Sequence, residues 1–410
     1  MINIMHELKY SVAVKILLCV ALFGFILINI ATKAKANSDV TTDPKAKTGA
    51  NSSVITDPKM LTVLYMLGNN VVYNGDDFAF IALDPRHSKV IYIATEAGAL
   101  YKSVNGGKKW NPVNNKFGVT RYGNLAIDPN DTAVMYANAF MINADEDIGG
   151  IMKSTNSGLD WHLLLELEDF LDYSANVLID PNNSSTVYVG GEGCIYKSTD
   201  AGLNWEKIFK DTDPSVPIIV LDISRQKPSI LYAGITGRDY FRIMKSTDSG
   251  QTWIDINNGM DDDVIYIENT AVSRHLISFE KIAVSRHDPN TIYALFARRL
   301  YKSTDAGKSW KELKQSPYQE YDALHLDILL TNDPNIIYLN TYEKGLYRSA
   351  NGGESWKKTH RNEKDRIPMD FIAIDPKNHR VIYAGDYERL YKSTNSGRTW
   401  KTILNRPLKF

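Results

Sequence analysis

The chain has 410 residues, 43% of them hydrophobic and 23% charged, with 47 Lys and Arg against 48 Asp and Glu, a formal net charge of −1. That length and apolar fraction sustain a large core, and the balanced charge gives no electrostatic case for nucleic acid or an anionic membrane surface as partner. Two cysteines exclude a disulfide framework.

At the amino terminus, Lys9 and Lys15 precede an apolar run over 16–30, followed by ATKAKAN at 31–37. The small-residue pattern Ala34-x-Ala36, behind an apolar core shorter than the ~20 residues of a spanning helix, predicts a signal peptide over 1–36 cleaved after Ala36. The expected location is periplasmic or secreted. The alternative is an uncleaved N-terminal anchor, the one route by which this chain meets a membrane. Cys19 follows Leu17 and Leu18 rather than the small residue of a lipoprotein signal, and its loss with the leader leaves Cys194 as a lone thiol. SDVTTDPK (38–45) nearly repeats as SSVITDPK (52–59), so 37–60 reads as a polar flexible linker. The apolar residues over 61–73 are expected to add a strand to the last repeat and close the edge of the array.

From residue 78 onward the chain repeats. An eleven-residue phrase occurs seven times: LYKSVNGGKKW (100–110), IMKSTNSGLDW (151–161), IYKSTDAGLNW (195–205), IMKSTDSGQTW (243–253), LYKSTDAGKSW (300–310), LYRSANGGESW (346–356) and LYKSTNSGRTW (390–400). All 7 Trp of the protein end a copy, and the mean spacing is about 48 residues. Each copy follows two short runs rich in Ile, Val, Leu and Tyr around a turn cluster, as in IALDPRHSKVIYIA (81–94) and IAIDPKNHRVIYAG (372–385). Two strands, a third in the LYKS run and a fourth after the Trp make four per repeat. This predicts an all-β, seven-bladed propeller of four-stranded antiparallel blades within 61–410. The long interval between Trp253 and Trp310 contains AVSRH twice, at 271–275 and 283–287, and reads as a duplicated first strand.

The phrase resembles the Asp box, Ser-x-Asp-x-Gly-x-x-Trp, of the BNR-repeat propellers, which include sialidases, xyloglucanases, sortilin-type receptor domains and photosystem II assembly-factor propellers. The chemistry of the phrase itself is that of a turn. The Asp or Asn (Asn105, Asn156, Asp200, Asp248, Asp305, Asn351, Asn395) accepts backbone N–H bonds, the Gly permits positive φ, and the Trp fills the space between sheets. Free exchange of Asp and Asn suits a hydrogen-bond acceptor and not a catalytic carboxylate.

Function is expected on the opposite face, where second-to-third-strand loops and crossovers meet, and where the resemblance puts the sites of sialidases and xyloglucanases. Blade two has a long connection with Asp145, Glu146 and Asp147; blade four has Arg238, Asp239, Tyr240 and Arg242; the next crossover holds Asp261, Asp262 and Asp263. Tyr and Arg are favoured contact residues, so Asp145, Asp147, Arg238, Asp239, Tyr240 and Arg242 are the candidate ligand-binding residues. The expected partner is a protein or a glycan. The competing reading is a glycoside hydrolase, which needs two carboxyls across the scissile bond. Its candidates are Glu96, Asp145, Glu146, Asp147, Asp239, Asp386 and Glu388; acids at similar positions, such as Glu192 and Glu343, make these look like repeat background. Xyloglucanases resemble this chain but pair two propellers around a cleft, and the sialidase triplet Arg-Ile-Pro stands here at 366–368, after six of the seven phrases. No cofactor is expected, and no His pair at i, i+4 suggests a metal.

Overall fold

The computed structural model describes residues 77–406, apart from 97, 114–118, 143–146, 168–175, 192, 212–217, 237–240, 261–278, 297–298, 314–325, 342–343, 361–366 and 368. The leader, the linker, the extra strand over 61–73 and the first AVSRH copy therefore lie outside the described residues. Twenty-eight strands form seven four-stranded antiparallel sheets, each from one contiguous stretch, and the described residues contain no helix. The blades run over 78–112, 119–166, 176–210, 218–255, 279–312, 326–358 and 371–405. The all-β, seven-bladed propeller is what the repeat predicts.

Each blade pairs its strands in sequence order, and the second strand is the most deeply buried, as in Ile91–Thr95 and Ile292–Phe296. Strands covered on both faces need apolar residues throughout, which explains why these runs do not alternate. The exposed fourth strand shrinks to two residues in four blades (Asn111–Pro112, Ile254–Asp255, Lys311–Glu312, Lys357–Lys358), leaving little free edge for another chain to pair with.

Seven hydrophobic clusters fill the seven junctions between neighbouring blades. Every Trp packs into the cluster shared with the preceding blade: Trp161 meets Tyr92 and Leu100 of blade one, and Trp110 closes the circle against Tyr383 and Leu390 of blade seven. Trp110, Trp161 and Trp310 are buried; Trp205, Trp253, Trp356 and Trp400 are half-buried.

The phrase turn explains its own composition. In blade five, Ser303 Oγ donates to Asp305 Oδ1 (2.8 Å) and accepts the Gly307 N–H (2.8 Å), while Asp305 accepts the N–H (2.9 Å) and hydroxyl (2.6 Å) of Ser309. In blade six the acceptor survives in Asn351 Oδ1, and Asn351 Nδ2 now donates to Ser355 Oγ (2.9 Å). In four blades a hydroxyl four residues on serves either partner, because it both donates and accepts, while in blades two and three Asn156 donates to Asp160 and Asp200 accepts from Asn204. That is why Asp and Asn exchange freely. The residue before the Gly also has positive φ, at Ala201 and Ala306 among others, and in every blade its N–H donates to the first turn, as Ala306 does to Asn290 O (2.9 Å). The two turns thus share one face.

The same turn face is stitched from blade to blade. Arg86 donates to Asn130 O (2.7 Å), Asn130 to Pro181 O (3.1 Å), Arg286 to Asn332 Oδ1 (3.0 Å) and Asn332 to Pro376 O (2.6 Å). The phrase lysine, lying near a second-strand tyrosine, reaches across the junction: Lys153 donates to Ala201 O (2.8 Å) and Lys302 to Gly352 O (2.9 Å). Burial lowers the pKa of both lysines and pushes that of Tyr136, whose hydroxyl also reaches Ala201 O, up to about 12.

Hydrogen bonds within the turns hold Asp248 and Asp305 down to about 2, led by the hydroxyls of Thr252 and Ser309. A pKa depressed on folding contributes stability above the unfolded value, and that contribution disappears as pH falls from about 4 towards 2. The variant Asp248→Asn/Asp305→Asn keeps both Oδ1 acceptors. It is expected to melt close to wild type at pH 7 and to lose less than wild type between pH 4 and pH 2, whereas Asp305→Ala melts lower throughout. Equal acid sensitivity of wild type and the double Asn variant would refute this account.

Candidate functional site

On the loop face, blades seven and one meet in a polar seam. Phe78 N–H donates to Tyr387 O (3.0 Å), Glu96 N–H to Asp77 O (2.7 Å) and Arg406 N–H to Glu388 O (3.0 Å), while the Arg406 guanidinium pairs with the Asp77 carboxylate. Three acids selected from the sequence, Glu96, Asp386 and Glu388, are thereby drawn to one place. Asp386 is a turn cap: Oδ1 accepts the N–H groups of Glu388 (2.8 Å) and Arg389 (2.6 Å), and Oδ2 accepts the Tyr391 hydroxyl (3.3 Å). Glu388 is exposed and lies 3.5 Å from the guanidinium of Arg389.

The seam holds two acids that sequence patterning did not single out, Asp77 and Asp370. Asp370 precedes the first strand of blade seven, its N–H donating to Gly385 O (2.8 Å). Burial, and then the charge of Asp386, push its carboxyl up to about 6. Asp77 occupies the matching place in blade one: each is an Asp directly before the Phe that opens a first strand, a signal visible in the sequence once the strand starts are known.

A pKa raised on folding contributes stability below the unfolded value, and that contribution is lost as pH rises through the folded one. Wild type is therefore expected to lose stability between pH 4 and pH 6, by about 1–2 kcal/mol once solvent screening is allowed for. Asp370→Asn should match wild type at pH 4 and melt higher at pH 7.5. A variant melting below wild type at both pH values would show that Asp370 is held as a needed anion.

Blades two and four depart from the loop expectation. The blade-two connection is a lengthened hairpin. Strands Met135–Ile142 and Asp147–Ser154 stay paired out to Ile142 opposite Asp147, because AFMI and DIGGI offer apolar and glycine pairs such as Phe140 opposite Gly149 and Met141 opposite Ile148. Asp147 thus opens a strand; Asp145 and Glu146 lie outside the described residues. In blade four, Arg238, Asp239 and Tyr240 also lie outside them. Arg242 belongs to the strand Phe241–Ser246, where it bonds Asp255 through Nε (3.1 Å) and Nη2 (3.0 Å), with the Asp211 carboxylate 3.6 Å from Nη1. Two carboxylates hold this arginine in a fixed orientation. Glu192, Glu343 and Asp261 to Asp263 are outside the described residues.

A second unforeseen group sits on the innermost strands of blades four to six. Lys281 Nζ lies 3.3 Å from Asp327 Oδ1, and Asp222 accepts the N–H groups of Val284 (2.7 Å) and Ile223 (2.8 Å). Asp327 holds the Lys281 pKa above its usual value, and burial raises that of Asp222. Lys281 still shows 45% of its side chain to solvent. Among the described residues no group of three or more His, Cys, Asp or Glu is placed to hold a metal ion.

A family model described as sortilin, neurotensin receptor 3 (Sortilin-Vps10) matches residues 241–365. The xyloglucanase Xgh74A of Acetivibrio thermocellus is 23% identical over 363 residues, covering 67% of this chain and 42% of the enzyme. Among solved structures, the GH74 xyloglucanase of Xanthomonas campestris superposes with a TM-score of 0.60 at 15% identity, covering 83% of this chain and 56% of that one. The chain is a seven-bladed propeller, and its similarities are to proteins of this kind. The propeller spans less than half the length of the curated xyloglucanase it matches. YCF48 bound to a D1 peptide superposes with a TM-score of 0.51 at 16% identity, covering 78% of this chain and 93% of YCF48.

Proposed function

We propose that this chain is an exported, non-catalytic recognition scaffold that binds a protein or a glycan on the loop face. The observation that carries this reading is the condition of the polar groups there: Asp386 caps a turn through two backbone amides, and Arg242 is held by Asp255 and Asp211. Groups tied this firmly are preorganised for recognition and poorly placed for a nucleophile. The similarity to YCF48 over nearly its full length, in a structure with a bound peptide, supports the same reading. Ligand contact is assigned to the extended blade-two hairpin around Asp145–Asp147 and to the blade-four segment 238–242.

The mature chain should bind a glycan or peptide in array format without turning over sialosides or β-glucans. Replacing 143–146 by Asn-Gly should abolish that binding with the melting temperature kept. Binding that survives both this replacement and deletion of 238–240 would remove the loop face from consideration.

A hydrolase remains the second reading because Asp370, protonated up to about 6, adjoins Asp386, and glycosidases depend on such a pairing of an acid with an ionised carboxylate. The relatives named as xyloglucanases fit it. Xyloglucan turnover that disappears in Asp370→Asn, with folding intact, would establish the enzyme and displace the scaffold.

A further inference from the structure

On the turn face, opposite the seam and loops described above, lies the junction between blades six and seven. It opens into a cleft of about 610 Å³, within the size range of small-molecule sites. Arg348, Lys357, Lys358, Arg380 and Arg398 line it, with His379; the remaining lining residues are Ala, Asn, Ser and Thr, and none is Asp or Glu.

The preceding junction carries a charge-compensated pair at these positions. Between blades five and six, Lys311 Nζ lies 2.8 Å from Glu354 Oε2, and Lys302 crosses to Gly352 O at 2.9 Å. One repeat later the residues equivalent to Lys311 and Glu354 are Lys357 and Arg398: the carboxylate that would neutralise the lysine has become a second cation. The crossing lysine has become Arg348, whose buried Nε has no hydrogen-bond partner. A wall of cations with no carboxylate among them, beside a buried guanidinium donor that is unsatisfied, is unfavourable for the free protein, and an anion entering the cleft offsets that repulsion.

From this we infer that the blade six–seven cleft binds the oxyanion of a phosphate or sulfate ester, a second site independent of the loop face. Three guanidinium groups offer planar pairs of donors that match tetrahedral oxyanions, while Lys357 and Lys358 add charge without fixed geometry. The Asn and Ser side chains of the wall suit the hydroxyls of a sugar or glycerol carrying that ester. The ester group has two natural sources, a soluble sugar phosphate and a lipid headgroup, and the cleft chemistry serves either.

Glucose 6-phosphate, with glucose as the neutral control, tests the first source by calorimetric titration of the full chain. Co-sedimentation with phosphatidylcholine vesicles, with and without phosphatidic acid, tests the second. Arg398→Glu is the decisive variant, because it recreates the Lys–Glu pair of the blade five–six junction and so retains the fold; Arg398→Gln is its neutral companion, and melting temperatures check both. We expect binding of at least one phosphate-bearing probe, none of its neutral control, and an affinity about tenfold or more weaker in Arg398→Glu, the loss of a charge-assisted contact. Failure of both probes to bind wild type, or binding to a folded Arg398→Glu as tight as to wild type, would overturn the inference.

Discussion

Trp310→Ala is expected to lower the stability of the propeller by about 3–5 kcal/mol, the cost of deleting a large buried aromatic side chain. Trp310 is 6% exposed and packs in the cluster of Phe241, Ile243, Ile256 and Phe296, which joins blade four to blade five. Its indole N–H donates to Ile256 O at 2.6 Å, so the truncation removes a hydrogen bond together with the packing. The junction is held by side chains from two sheets whose backbones are fixed by their own ladders, and such a wall collapses poorly into a void. Urea denaturation followed by far-UV circular dichroism measures the loss. Trp253→Ala, at a half-buried site, should cost less. A loss below about 1 kcal/mol at Trp310 would mean that the Trp is a surface cover and not the joint between blades.

Gly307→Ala is expected to cost about 2–5 kcal/mol, for two separable reasons. Gly307 has φ +86, and a Cβ there would lie 2.3 Å from Ile256 Cδ1 and 3.1 Å from Ile256 Cβ. The adjacent Ala306 already tolerates φ +63 without such a contact, so Ala306→Gly should be neutral or stabilising. The steric share is isolated by a double-mutant cycle: in an Ile256→Ala background, Gly307→Ala should cost less than in wild type. Equal costs in both backgrounds would assign the whole effect to backbone strain.

These two residues show why the fold is legible in the amino-acid sequence. Each phrase Gly lies against the preceding blade, where an added Cβ would meet the residue three places beyond that blade's Trp: Val113, Leu164, Ile208, Ile256, Leu313, Thr359 or Ile403. A single packing rule repeated seven times writes a periodic trace. The Trp–x–x–apolar spacing is part of that trace, and only Thr359 departs from it. The seam is illegible for the opposite reason. Asp77 with Arg406, and Phe78 with Tyr387, are brought together by ring closure, and no local pattern marks residues that far apart in sequence. Arg242 is a milder case. It has the composition of a contact residue, but its partners are Asp255 on the next strand and Asp211 just past the last strand of blade three, and a charge is free or engaged only in three dimensions. In blade two the length of the connection and its acids suggest a loop, while the pairing of Met141 with Ile148 continues the ladder.

Each blade is one unbroken stretch of chain, and the bonds between Asp77, Phe78, Tyr387, Glu388 and Arg406 bring the two ends of the propeller side by side. Connectivity and packing are therefore separate properties of this molecule. A short peptide joining 406 to 77 would make the backbone itself circular. A cut in any crossover between blades would then yield a circularly permuted chain with the same seven junctions in a new order of synthesis. What differs among such permutants is which junction must form last between segments remote in sequence. Since that step bears the largest loop-closure entropy, permutation should alter the folding rate more than the final stability.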